Sequence, residues 1–273
     1  MTQNESARKA RLLAAYDAQL RTDAETVTAL SVTALGPLRL ATQLNGHGFI
    51  TYRDLDGADE PGIRQLVADA LAHFAGDAAI RRVEWKTRGH DRAPGLHEAL
   101  VESGFVPEEQ ESIMIGDASA LAMDVPLPDG VRLRRVTDDA DVRAAAATQD
   151  EVFGSPPSEG SADRSIRILA LKPEAELWVA EADGRVVSAG SIDPVPGTEF
   201  AGVWGGATLE EWRGRGIYRA LTAARARAAI ARGKTLINSD STEYSRPILE
   251  RSGFLKVSTT TPYVWRRDLV VPT

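Results

Sequence analysis

The sequence predicts an α/β chain with mixed sheets, folded as two domains in succession. Three observations predict it. The chain has 273 residues, more than the roughly 100–200 of an ordinary single domain. Near its middle, the stretch LAMDVPLPDG at 121–130 carries two prolines, a glycine and two aspartates, the composition of a linker. On either side, strand-like and helix-like segments follow one another in the same late order. Both sides also spell Leu-x-x-Ser-Gly-Phe where a helix hands over to a strand, from Leu100 to Phe105 and from Leu249 to Phe254.

Taken in order, residues 6–20 read as a helix, 27–33, 38–43 and 48–52 as strands, and 63–74 as a helix. A strand at 81–87, a helix at 96–103 and a strand at 111–116 complete the first half. After the joint, residues 131–136 (VRLRRV) alternate apolar and basic side chains like a half-buried strand, and Thr137-Asp138-Asp139 offers an N-cap to an Ala-rich helix. A helical period covers 161–171; strands at 177–182 and 185–192 are joined by an Asp183-Gly184 turn, and a third strand covers 200–209. A long Ala- and Arg-rich helix at 217–232 ends at Gly233. A strand at 235–239, a helix at 246–252 and a closing strand at 256–266 follow. The domains expected are therefore 1–120 and 131–273.

Composition narrows the function classes. Hydrophobic residues make up 43% and charged residues 26%, as in globular proteins. Cysteine is absent, which removes disulfides, thiolate metal sites and a cysteine nucleophile. The N-terminal stretch lacks the apolar run of a signal peptide, and no segment reaches the length of a membrane span, so a cytoplasmic protein is expected. A net charge of -7 argues against nucleic acid as a partner. His47, His73, His90 and His97 show no metal-ligand spacing, and no metal is expected.

The stretch that carries chemistry runs from Thr208 to Leu221, a strand passing through a basic glycine loop into a helix. Gly214 and Gly216 let backbone approach a phosphate, the first-turn N–H groups point at it, and the helix dipole adds partial positive charge. Arg213, Arg215 and Arg219 add full charges. The loop has no Gly-Lys-Ser/Thr ending of a P-loop and no Gly-x-Gly-x-x-Gly of a dinucleotide fold.

This loop, Arg213-Gly214-Arg215-Gly216-Ile217-Tyr218, resembles the Arg/Gln-x-x-Gly-x-Gly/Ala signature of the GNAT superfamily of acetyl-CoA-dependent N-acetyltransferases. Arg213 and Gly216 fit, whereas Tyr218 puts a bulky ring where the family keeps a small residue. The resemblance extends from Val131 to Arg266. It implies tandem GNAT-like domains, with acetyl-CoA as cosubstrate, its pantetheine arm against Gly206, Ala207 and Thr208, and its pyrophosphate on Gly214 to Arg219, Ile217 included. At the corresponding place the first half has Arg53-Asp54-Leu55-Asp56-Gly57-Ala58-Asp59-Glu60-Pro61-Gly62, with four carboxylates where a pyrophosphate would bind. Residues 1–120 therefore resemble a degenerate, non-catalytic copy.

The family reaction is direct attack of an amine on the thioester, with a backbone N–H near Ala207 or Thr208 polarising the carbonyl. The family's acid, a tyrosine four residues before the glycine of the Gly-Phe turn, is Leu249 here. Substitutes are Tyr244 and Ser245, together with Tyr218 or water. Glu199 leads as the base, with Asp193 and Glu243 behind it. Trp204 is a candidate wall for the acceptor, and the loops at 155–160 and 194–199 are candidate specificity elements. Dimerisation is a family habit that no residue here demonstrates. The rival reading is an acyl-CoA sensor that binds without turnover; a purely structural domain ranks last.

Overall fold

The computed structural model describes residues 3–44, 46–155 and 159–269. The first half forms α1 (Gln3–Gln19), β1 (Ser31–Leu35), β2 (Leu38–Thr42), β3 (Gly48–Tyr52), α2 (Glu60–Ala75), β4 (Arg82–Arg88), α3 (Leu96–Glu102), β5 (Val106–Pro107) and β6 (Glu111–Asp117). The second half forms α4 (Ala118–Leu121), β7 (Val131–Arg135), α5 (Asp139–Phe153), α6 (Glu159–Leu171), β8 (Glu176–Ala182), β9 (Arg185–Pro194) and β10 (Phe200–Thr208). It ends with α7 (Ile217–Ala231), β11 (Leu236–Ser241), α8 (Arg246–Arg251) and β12 (Leu255–Arg266). The mixed α/β class is as the sequence predicts.

Two compact units result, and they do not divide at 121–130. Of the described residues, one takes in those up to Ile113, Ser241–Glu243 and those from Lys256 on; the other takes in those of Met114–Asp240 and Tyr244–Leu255. The closing strand expected in the second domain therefore lies in the first unit. There β12 runs antiparallel to β4, from Thr260 opposite Arg88 to Arg266 opposite Arg82. Its alternation marks it as a strand, but alternation carries no information about which neighbour supplies the hydrogen bonds.

In the first unit β1, β2 and β3 form an antiparallel meander, and β3 continues parallel to β4. The strand expected at 27–33 is displaced. A short 3-10 turn occupies Asp23–Thr26, Val27 and Leu30 are exposed, and β1 begins at Ser31. The two-residue turn Gly36-Pro37 sets the register of this hairpin, pairing Leu35 with Leu38. In α2, apolar residues at 63, 67, 70 and 74 recur on one face, and Ile63, Val67, Ala70 and Phe74 are buried against Trp85, Leu100 and Phe105.

A polar network crosses this unit. Arg21, 2% exposed, gives two hydrogen bonds to the Asp91 carboxylate at 2.7 and 2.9 Å and one to the Tyr52 carbonyl at 3.1 Å. His90 joins Ser258 through Nδ1 at 2.7 Å and Asp17 through Nε2 at 3.0 Å. Burial pushes the Asp17 carboxyl up, but the His90 bond and charge, with Arg21, outweigh it and hold the group below its ordinary value.

In the second unit β7, β8, β9 and β10 are successive antiparallel neighbours, and β11 joins β10 in parallel. Asp138 caps α5 by accepting the Asp141 N–H, as expected of that cluster. The small Ala226 and Ala229 of α7 pack with Ala201 and Val203 of β10 and Ile237 of β11.

Candidate functional site

The site forms where β10 loses a neighbour. Its register with β11 covers Phe200 to Gly202, opposite Leu236 to Asn238. On the other side its pairing with β9 continues to Thr208 opposite Ser188. Past Gly202, β10 therefore has a free edge on the β11 side among the described residues, and free strand edges recruit extended ligands. At the point of parting, the Asn238 side chain is 5% exposed and its Oδ1 has no hydrogen-bond partner.

A bulge lies on the free stretch. The β9–β10 register slips between Trp204 and Ala207, so Gly205 and Gly206 together stand opposite the single residue Gly190, one residue more than the ladder needs. Gly205 has φ +59°, a region that disfavours side chains, and its carbonyl accepts from Gln149 Nε2 of α5 at 2.7 Å. Tyr218 covers its neighbour: a Cβ on Gly206 would lie 2.8 Å from the Tyr218 ring and 3.0 Å from its hydroxyl. Beyond the bulge, the Ser188 hydroxyl donates to the Ala207 carbonyl at 2.6 Å.

From Thr208 the chain turns through Glu210–Trp212 into α7. Gly216 occupies the N-cap with φ +81°, and no side chain caps the helix. The first-turn N–H groups therefore keep their capacity for an anion. Arg213, Arg215 and Arg219 flank them in sequence and are exposed. Arg213 Nε is tied to the Thr208 carbonyl at 3.0 Å, and Arg215 stacks 4.9 Å from the centre of the Trp212 ring. A Cβ on Gly214 would meet nothing within 4 Å, so the approach is open. The ten expected cofactor residues thus lie along one path from bulge to helix.

Residues 144–254 match the model of the acetyltransferase (GNAT) family. That stretch of the chain is thus similar to a GNAT acetyltransferase domain. The match stops at Phe254, before β12, the strand that the first unit takes up. Among solved structures, a GCN5-related N-acetyltransferase from Kribbella flavida is 18% identical, with a TM-score of 0.67 over 93% of this chain and 94% of that one. A tandem GNAT protein from the clavulanic acid biosynthesis pathway is 14% identical, with a TM-score of 0.60 over 86% and 79%. A GCN5-related N-acetyltransferase from Sphaerobacter thermophilus is 16% identical, with a TM-score of 0.58 over 84% and 76%. At these identities the likeness is one of fold. Comparison with curated proteins gives no match.

In the first unit, the N-terminus of α2 is closed by the chain's own charge. Asp59 caps α2 and its carboxylate accepts the Gly62 N–H at 3.0 Å. That carboxylate fills the place that an anion would take. Asp54 lies just before it and accepts the Asp56 N–H at 2.9 Å.

The expected catalytic residues do not gather at the bulge. Glu199 stands at the far end of β10, hydrogen-bonded to Thr235 Oγ1 at 3.3 Å. Gly206 lies seven residue steps further along, roughly 20 Å at about 3.3 Å per step. At that distance its carboxylate is out of reach of a reaction at the bulge. Asp193 is ion-paired with Lys172, and Glu243 belongs to the first unit. Tyr244 is 86% exposed, and the Ser245 carbonyl starts α8 by accepting from Ile248 and Leu249 at 3.1 Å. Leu249, in the family's tyrosine position, is buried in the cluster that Tyr218 packs against. Trp204 is 37% exposed and folds back over Gly202. Of the loop at 155–160, residues 156–158 lie outside the described residues.

The histidines serve the first unit: His97 bonds the Tyr263 hydroxyl at 2.7 Å, and His90 belongs to the Arg21 network. Among the described residues no group of three His, Cys, Asp or Glu is arranged for a metal ion, and no helix is long and apolar enough to cross a membrane. Sequence reasoning missed Gln149, Asn238 and Arg225, since one polar residue on an apolar helix or strand gives no motif.

Proposed function

We propose that the chain is an acetyl-CoA-dependent N-acetyltransferase whose one cofactor site lies on the second unit. The observation that carries the reading is the continuous path from the free edge of β10, across the Gly205–Gly206 bulge, to the uncapped N-terminus of α7. A pantetheine arm has amides that can hydrogen-bond a free strand edge, and a pyrophosphate suits helix N–H groups flanked by three arginines. The residues fit the cosubstrate in both respects. The acetyl group would be supplied as a thioester, with the bulge backbone holding the carbonyl.

An amine acceptor is the reading that Asn238 favours. Its buried Oδ1 is a hydrogen-bond acceptor awaiting a donor, and an amine or a pantetheine amide brings N–H groups. Trp204 would form one wall of that space. The first unit, whose α2 seat Asp59 already fills, takes no cofactor in this account.

The protein contains no cysteine, so a thiol reagent reads released CoA without background from the chain. With acetyl-CoA and a panel of amines, the expected result is continuous thiol release that depends on one class of amine. Tight acetyl-CoA binding with no release across the panel would instead support the sensor reading.

A further inference from the structure

The second unit holds a buried cation that no carboxylate among the described residues neutralises. Arg225 of α7 is 1% exposed. Its Nε donates to the Leu221 carbonyl at 3.3 Å, Nη1 to the Ser191 carbonyl at 3.2 Å and Nη2 to Thr222 Oγ1 at 3.1 Å. Burial works against its charge and holds the group below the ordinary arginine value. A charge in such a place is costly unless paired. Among the described residues of α7, β9 and β10, the one titratable group that faces it is the Tyr218 phenol.

Its position is informative. A Cβ on Gly190 of β9 would lie 2.7 Å from Arg225 Nη1 and 3.4 Å from the Gly206 Cα. The guanidinium is thus seated beside the bulge, next to the glycine that the Tyr218 ring covers. Residues 218, 222 and 225 recur on one face of α7, and Thr222 links the two by donating to the Tyr218 carbonyl at 2.9 Å while accepting from Arg225. Leu249, which can hold no proton, packs in the cluster on which Tyr218 lies.

We infer that Tyr218 is the proton donor to the departing thiolate, and that Arg225 is the positioning residue that holds the phenol at the bulge and steadies the negative charge gathering there. This rests on the cofactor site proposed above. A C–N bond forms between the acceptor nitrogen and the acyl carbon, and the C–S bond breaks with its electron pair on sulfur. The Tyr218 O–H gives its proton to that sulfur. The proton shed by the nitrogen leaves to solvent, which reprotonates Tyr218. The large residue at 218, a departure from the small one of the family signature, thereby takes over a role that Leu249 cannot fill.

The test uses binding rather than turnover, with CoA and desulfo-CoA as probes in calorimetry between pH 7 and 9. A site built for a thiolate favours CoA increasingly as pH rises toward the ordinary thiol range. In the wild type the preference for CoA over desulfo-CoA is expected to grow about tenfold across this window, the effect of one unit of thiol pKa. Arg225→Lys should retain the growth, whereas Arg225→Met and Tyr218→Phe should flatten it. If Arg225→Met fails to fold, Tyr218→Phe, which keeps the ring, carries the test. A flat wild-type ratio, or growth that persists in Tyr218→Phe, overturns the inference while leaving the cofactor site standing; growth that persists in Arg225→Met removes Arg225 from it. Binding of neither probe by the wild type overturns the cofactor site and the inference together.

Discussion

Changing Arg213, Arg215 and Arg219 together to glutamine is expected to weaken acetyl-CoA binding about a hundredfold. Each exposed guanidinium within 4 Å of a phosphate gives about 1 kcal/mol where water screens it, and three give about 3 kcal/mol, or two powers of ten. Because the residues are exposed, the interaction is open to salt, so the wild type should lose affinity steeply with ionic strength and the variant much less. Glutamine retains the helix propensity of arginine, which protects α7. Arg213 also bonds the Thr208 carbonyl, and the Arg215→Gln, Arg219→Gln pair separates this structural part, with a loss of about thirtyfold expected from charge alone. A triple variant within threefold of the wild type, with the same salt slope, would remove the arginines from the site.

Arg21→Ala is expected to destabilise the first unit by about 3–5 kcal/mol, the usual cost of stranding one member of a buried ion pair. The Asp91 side chain, 8% exposed, would keep its charge without its two hydrogen bonds from Arg21, and the Tyr52 carbonyl would lose a donor. Chemical denaturation measures the change. Adding Asp91→Leu should restore much of the loss, since removing both charges spares the desolvation cost. The same network sets an acid limit. The folded Asp17 carboxyl lies below its unfolded value of 3.8, so its contribution is complete above that pH and is lost as pH falls through the lower folded value. A loss from Arg21→Ala below 1 kcal/mol would show the network to be solvated and loose.

The parts of the fold legible in the sequence are those set by local rules. Asp138 before the Ala-rich α5, the Asp183-Gly184 turn between β8 and β9, and the strand-to-helix glycine loop each follow from short-range chemistry, and each stands where the residues place it. Partner choice is a different matter. β12 has the same alternation whether it pairs within its own half or with β4, and only the assembled sheet distinguishes the two. β1 was misplaced by four residues because Val27 and Leu30 are apolar yet exposed, while the Gly36-Pro37 turn fixes the hairpin.

The residues of the proposed cofactor path are legible in the sequence, and those of the proposed proton path are not. Gly206, Thr208 and Gly216 are close in sequence and stay close in space, held by one strand, one bulge and one helix. Glu199 is also close in sequence to the bulge, but an extended strand carries it roughly 20 Å away. Arg225 is remote from the bulge in sequence and adjacent in space, because α7 folds back over β9 and β10. An arginine inside an alanine-rich helix reads as a solvated face, and only its 1% exposure separates it from that reading.

The central claim is that the α7 N-terminus of the second unit is the one acetyl-CoA seat of the chain, and calorimetric titration of acetyl-CoA into wild type and Gly216→Glu tests it most directly. Gly216 has φ +81°, and a glutamate there adds backbone strain of order 1 kcal/mol and places a carboxylate where the pyrophosphate belongs; circular dichroism first establishes that the variant is folded. The account predicts one acetyl-CoA bound per wild-type chain and none detectable to Gly216→Glu. Two bound per chain, or equal binding to both proteins, would contradict it.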